Sequence, residues 1–394
     1  MALPASGPLS FSQINTEFGL GTAMSAYRGA TYYIGSTSGT FPSTNLTFNN
    51  FYNTAPTSAT SGVFLFSNGS TPFFSAYQWS SSGFGSKLSD PSSLPPGGVS
   101  ELAVNADRTA VMTGHAFSPW ITAYAWSSSG FGSKYSNPSS LPGGTQNGVA
   151  FSPDQLSVGV AITASPYIYT YRWTNASGFG TRNSNPGTGA VGAGLSITFS
   201  NNSGSVLLGQ NTTPFLHAWD YTGTSYGTRR SASATSNRLS VSFSSSGNDV
   251  VTAGTSSNYT AAWPWTGTSF GTRYSAPSYI ASTGTANSAR FSPNDQNVAL
   301  AHGSSNPTTN PYFLSAWPWS SGYGTRYSDV SMSGLTDGNS CAWTPTNDTI
   351  ALASQSSPYA NAFAFTGGSG FGSKFANPGT LPTSLSPFVI FIAN

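Results

Sequence analysis

One phrase returns along this chain at a nearly fixed interval, and that interval limits the folds open to it. WSSSGFGSK occupies 79–87 and recurs unchanged at 126–134. Degenerate copies bring the total to seven, centred on Phe84, Phe131, Phe179, Tyr226, Phe270, Tyr323 and Phe371, with spacings of 47, 48, 47, 44, 53 and 48 residues. A period of about 40–50 residues is that of a propeller or a solenoid. Three residues after each aromatic stands a base: Lys87, Lys134, Arg182, Arg229, Arg273, Arg326 and Lys374. These are more than half of the 13 Lys and Arg in the 394-residue chain, so the repeat governs where the charge goes.

Upstream of each phrase is an aromatic pair at i, i+2: Tyr77/Trp79, Tyr124/Trp126, Tyr171/Trp173, Trp219/Tyr221, Trp263/Trp265, Trp317/Trp319 and Phe363/Phe365. A spacing of two puts both rings on one face of a strand. Between phrases lies a strand–turn–strand signal, as in VAFSPDQLSVGVAI (149–162), ARFSPNDQNVALA (289–301) and CAWTPTNDTIALA (341–353). Pro, Asn and Asp there supply a preset φ and side-chain-to-backbone bonds. Each unit therefore holds four strands: two around this turn, one with the aromatic pair, one with the base. Composition agrees, with 14% aromatic and only 6% charged residues among abundant Gly, Ser and Thr. That is the make-up of an all-β chain.

Four antiparallel strands per unit make a propeller blade. FSPD followed by a small-residue strand and an aromatic strand resembles the WD40-type repeat over roughly 60–394. Only Trp219-Asp220 has its WD dipeptide, and the Gly-His signature is absent. The chain ends in SPFVIFIAN (386–394), a first strand lacking a partner, and the repeats open at SGVFLFSN (61–68), a second strand lacking a first. Joined, they complete a blade and hide two sheet edges. The expectation is a seven-bladed β-propeller of four-stranded blades, closed by its N- and C-terminal strands and preceded by a small N-terminal module.

Within that fold GFG belongs to the hairpin between third and fourth strands, where glycine permits the positive φ of a tight turn. The aromatic between the glycines covers the hairpin, and the base on the outermost strand discourages edge pairing. The competing reading is a sevenfold basic ring for an anion, but blade geometry spreads those charges around the outer wall. The paired aromatics read as inter-blade core, each buried ring stabilising by about 1.5–3 kcal/mol. Pro264 and Pro318 sit between paired tryptophans, where a central strand does not tolerate them. A bulge or a different register is expected there.

The loops before the aromatic strands carry Phe73, Trp120, Tyr167, Phe215, Tyr259, Phe313 and Tyr359, all at one end of the ring. Either each ring plugs the blade end beneath it, or the set meets a glycan or a protein. Catalysis finds little support. Asp107, Asp154, Asp249, Asp295 and Asp348 fall in the turns between first and second strands. Asp90 and Asp329 follow the repeated base, and Glu17 lies outside the repeats. His115, His217 and His302 are the only histidines, and no carboxylates accompany them as a triad or metal set requires. The GxG phrases lie in β-hairpins rather than before helices, so they are no phosphate loop. Cys341 stands alone. A net charge of +2, evenly spread, does not make a nucleic-acid surface. No stretch approaches a membrane span, and the N-terminus shows no signal peptide. The expectation is no catalytic residue, no cofactor and no metal.

Residues 1–55 do not fit the repeat. Ser10 and Gln13 of LSFSQINTEFG (9–19) form a capping box for a short helix that Gly19 ends. AYRGATYYIG reads as a strand, and LTFNNFYN (46–53) echoes LSFSQIN. This order resembles the N-terminal module of tailed-bacteriophage virion proteins. The resemblance implies a non-enzymatic virion structural protein. Residues 1–55 would dock to tail or other particle components through Phe11, Ile14, Phe18, Phe48 and Phe51. The propeller, 56–394, would project for host-surface adhesion or decoration and meet a host glycan or protein. The protein would be made in the host cytoplasm and reside in the virion. The alternative is a soluble glycan-binding propeller lectin. A hydrolase propeller is a third class, and it requires carboxylates in the central channel.

Overall fold

The computed structural model describes all residues except 1–2, 4–8, 19–22, 35–36, 52–60, 235, 256–258, 278–284, 304–311, 331, 333, 386 and 394. Seven antiparallel sheets stand around one axis, five of four strands and two of three. In chain order we call them blades 1 to 7, starting with the one that contains Gly62–Ser67.

Each blade is a meander in which the second strand is the most deeply placed. Ala110–His115, Ser157–Ile162, Ser205–Gln210, Asn297–His302 and Thr349–Ser354 are buried at every residue. Small and β-branched side chains let neighbouring blades close over both faces of these strands. One core cluster joins Val111, Tyr124 and Trp126 of blade 2 to Val63, Phe74 and Ile392 of blade 1. The ring closes as the termini imply. Val389–Ala393 pairs antiparallel with Gly62–Ser67, Ile392 opposite Val63 and Val389 opposite Phe66.

The repeated phrase has a structural use in every blade. The aromatic of GFG meets the second member of its pair edge-on: Trp79–Phe84 and Trp126–Phe131 at 4.9 Å, Trp265–Phe270 at 5.0 Å and Trp319–Tyr323 at 5.1 Å. Gly83 and Gly130 turn the hairpin at φ of 107° and 108°. Several of the bases find local partners. Lys87 and Arg326 pair with Asp90 and Asp329, each at 2.8 Å, and Arg182 lies 4.7 Å over Tyr169.

Pro264 and Pro318 have the effect expected of them. Each ends the third strand of its blade, so Trp265 and Trp319 reach the fourth segment only through isolated bridges to Phe270 and Tyr323. These are the two three-stranded sheets.

Among the described N-terminal residues, Phe11–Phe18 is the helix, with Gln13 N donating to Ser10 Oγ and Ser10 N to Gln13 Oε1. Gly19 lies outside the described residues, as does the 55/56 boundary. Thr31–Ile34 pairs with Thr37–Thr40. The echo segment is a 3-10 turn, Phe48–Phe51, in which Thr47 N donates to Asn50 Oδ1 as Ser10 does to Gln13. Leu3, Ile14, Phe18, Tyr27, Phe41, Leu46 and Phe51 form one core cluster of their own.

Candidate active site in the central channel

The first strands of the blades surround the axis, so their inward residues decide what the channel can do. Register identifies equivalent positions. Glu101, Gly148, Ser196, Ser240, Ser288 and Ser340 each follow the same bulge and stand opposite Gly114, Ala161, Gly209, Ala253, Ala301 and Ala353. Small residues are required there because the strands converge. A Cβ on Gly148 would lie 2.9 Å from Ser196 Cα. Blade 2 alone of these six carries a carboxylate at this position.

Two residues further on, Ala103, Ala150, Thr198, Ser242 and Ala342 match Arg290 of blade 6. Arg290 Nη1 donates to Ser240 Oγ of the neighbouring blade at 3.0 Å. Its guanidinium lies 5.5 Å over the ring of Phe388, which blade 1 contributes. Among the described residues, blade 2 thus brings one acid and blade 6 one base to these first-strand positions, while the Ser288 and Ser340 hydroxyls beside them are buried.

Their electrostatics follow from enclosure. Burial pushes the Glu101 carboxyl well above the usual carboxylate range, and Arg290 draws it part of the way back. Glu101 is half-exposed by surface measure yet surrounded by protein. Desolvation by the surrounding protein dominates its electrostatics. Among the described residues it makes no hydrogen bond or ion pair. Cys341 is buried in the core between blades 6 and 7, its thiol raised to about 11 by burial, which leaves it protonated and inert. Among the described residues no group of three His, Cys, Asp or Glu could hold a metal ion.

The seven loop aromatics stay together at one end of the ring but differ in exposure. Phe313 is fully buried, whereas Phe73, Trp120, Tyr167, Phe215, Tyr259 and Tyr359 are half-buried. Phe73, Phe215 and Tyr259 rest on core clusters beneath them. Five of the seven follow a cis proline and have positive φ: Phe73, Trp120, Tyr167, Phe215 and Tyr359. Of the proposed docking residues, Ile14, Phe18 and Phe51 are buried in the N-terminal cluster, Phe11 packs against it, and Phe48 is exposed. His115 and His302 are buried, their Nε2 atoms bonded to Thr122 Oγ1 at 2.9 Å and Ser315 Oγ at 3.0 Å. His217 Nδ1 meets Ser231 Oγ at 2.8 Å.

Solved structures share this ring. The chain is similar to a periplasmic gluconolactonase of Pseudomonas aeruginosa, with TM-score 0.68 and 13% identity over 84% of this chain and 99% of that one. It is also similar to a "putative 6-phosphogluconolactonase" of Bacteroides fragilis, with TM-score 0.63, 11% identity and coverage of 84% and 98%. A protein of the same description from Bacteroides uniformis gives 0.64, 12%, 84% and 99%. No protein-family model matches the sequence, and no curated protein is similar to it. At such identities the likeness is one of fold: this is a seven-bladed propeller of the architecture that those proteins use.

Two expectations are corrected by these likenesses. The first is a non-enzymatic virion structural protein, with a soluble lectin as its alternative. These three propellers are described as a gluconolactonase and two putative 6-phosphogluconolactonases, and none of the three is a virion component or a lectin. The second is the absence of enzymatic activity, which rested on a census of acids that passed over Glu101. The signal was present in the repeat: aligning the first strands puts Glu101 where other blades carry Ser or Gly.

Proposed function

We propose that the chain is a hydrolase of lactone-type cyclic esters, with its reaction centre at Glu101 and Arg290 in the channel. The observation that carries this reading is a carboxyl whose pKa is raised by burial and drawn back by Arg290, with no hydrogen bond to it from any described residue, while the guanidinium itself donates to Ser240 and lies over Phe388. The architecture shared with proteins described as lactonases supports the same class. A general base gains strength as its pKa approaches the working pH. Glu101 takes a proton from water as the water oxygen bonds to the lactone carbonyl carbon. Arg290 meets the developing oxyanion. The ring C–O bond then breaks, and the proton held by Glu101 passes to the departing alkoxide. The product is an open-chain hydroxy acid whose new carboxylate suits Arg290.

The test is pH-stat hydrolysis of glucono-1,5-lactone and its 6-phosphate, corrected for spontaneous opening. Glu101→Gln should lower kcat by about 10²–10⁴-fold. The wild-type rate should climb as Glu101 deprotonates, at a pH above the ordinary glutamate range. Wild-type protein that adds nothing to the background with either lactone would refute the reading, as would an unaltered rate in the variant.

A further inference from the structure

Blades 4 and 5 depart from the turn chemistry of their neighbours. Blades 3, 6 and 7 join first and second strands through SPDQ, SPNDQ and TPTND, each with a proline and an acid. Blade 4 has SNNSG and blade 5 SSSGN, which bring no proline, and blade 5 meets its acid, Asp249, only where the second strand begins. The two turns stand side by side at the end of the ring opposite the aromatic loops. Asn201 Nδ2 bridges them by donating to Ser244 O at 3.1 Å and Ser245 O at 2.6 Å.

Between them and the Thr266-Gly267 turn lies a cleft of about 380 Å³. Its walls include Asn201, Asn202, Ser246, Asn248, Trp265 and Thr266, and no charged residue contributes to them. The backbone is fixed on three sides: Trp265 N donates to Asn248 O at 2.6 Å, Gly247 N to Ser244 O at 3.0 Å, and Asn202 Oδ1 accepts from Gly204 N at 3.0 Å. The Asn248 side-chain amide is exposed and bonds none of the described residues.

Trp265 supplies the second observation. In blades 3 and 6 the equivalent indoles donate to Asn175 Oδ1 at 2.9 Å and Asp249 Oδ2 at 3.2 Å. Trp265 is only 5% exposed, and its Nε1 has no acceptor among the described residues. A buried indole N–H normally finds one; Trp79 and Trp317 share the lack, but among these three only Trp265 lines the cleft.

From this geometry we infer that the cleft between blades 4 and 5 binds a neutral monosaccharide unit. Amides give and accept hydrogen bonds together, as vicinal hydroxyls require. A site without charge favours neither anions nor cations. A volume of a few hundred Å³ suits one sugar ring, and a sugar hydroxyl oxygen would give the Trp265 N–H its acceptor. The inference stands apart from the hydrolase reading, since the cleft and the channel share no residue.

The experiment is saturation-transfer NMR and calorimetry on the full chain with the methyl glycosides of glucose, galactose, mannose and N-acetylglucosamine. At least one should bind saturably. Asn248→Ala, which removes an exposed side chain, and Trp265→Phe, which keeps a ring but loses the donor, should each weaken it about tenfold. Glu101→Gln should leave it unchanged. Failure of all four glycosides to saturate would overturn the inference. So would binding indifferent to Asn248→Ala, or binding lost in Glu101→Gln, which would place the sugar in the channel.

Discussion

His115, His217 and His302 are held neutral by their surroundings. Burial lowers each to about 4 from an ordinary value of 6.5, more than offsetting the backbone bonds that raise them. In the unfolded chain the same imidazoles take up protons near 6.5. Between about 4 and 6.5 the unfolded state therefore binds more protons, and stability must fall as pH falls through that window. Glu101 acts with the opposite sign. Its raised pKa gives stability that is full at low pH and is lost as the buried carboxyl ionises. The urea midpoint is accordingly expected to drop from pH 7 to pH 5. His302→Asn should flatten that dependence whatever it does to the absolute midpoint. A wild-type midpoint indifferent to pH across this window would contradict neutral burial. The sequence set no carboxylate beside the histidines, whereas the fold links His302 Nε2 to Ser315 Oγ, which donates to Asp329 Oδ1 at 3.2 Å. Glu101 was not legible as a candidate, because its meaning lies at an axis that six other blades must build around it. Arg290 escaped for the same reason: the repeat marks seven other bases by position, and nothing local separates it from a surface charge.

At the scale of strands and turns, local chemistry was a good guide wherever it repeats. Gly and aromatic residues at fixed offsets placed the outer hairpins, and the paired rings placed the third strands. Pro264 and Pro318 marked the two blades whose outer edge is reduced to a bridge. The contacts between turns were hidden from the sequence because they join residues about 50 positions apart. Asp295 shows their use. Its carboxylate accepts Ser245 N at 2.6 Å and Ser246 N at 2.7 Å from the preceding blade, clasping blades 5 and 6. Hydrogen bonds to a charged group are worth about 1.5–3 kcal/mol, less where solvent reaches them. Asp295 sits at φ 57°, which Asn tolerates and Ala does not. Asp295→Asn thus removes the charge alone and should cost about 1 kcal/mol. Asp295→Ala adds backbone strain and should cost more. Chemical denaturation of the pair measures both, and equal stability of Asn and wild type would show that the clasp is inert.

Taken whole, the ring depends on one seam. Every blade but the first draws its strands from one stretch of chain, whereas blade 1 takes Val389–Ala393 from the far end. Along that seam Val389 and Ile392 are buried, and Phe388 stands beneath Arg290 in the channel. The seam thus fixes both the closure and one wall of the proposed reaction centre. Its removal exposes the edges of two neighbouring blades and the apolar faces between them, the condition under which sheets pair with other chains. A chain ending at Pro387 should therefore aggregate or unfold without cooperativity. The converse change separates lost closure from lost residues. A permutant joins Ala393 to Gly62 through a turn like that of blade 7 and opens the chain between blades 1 and 2. Every strand pairing of the propeller is retained, the N-terminal module is left out, and blade 1 becomes continuous. It should elute as the parent propeller does and melt in one transition within a few degrees of it. If the truncated chain matched that behaviour, the strand would be dispensable. If the permutant failed while the parent folded, the order of the chain, rather than closure of the ring, would be what holds the molecule together.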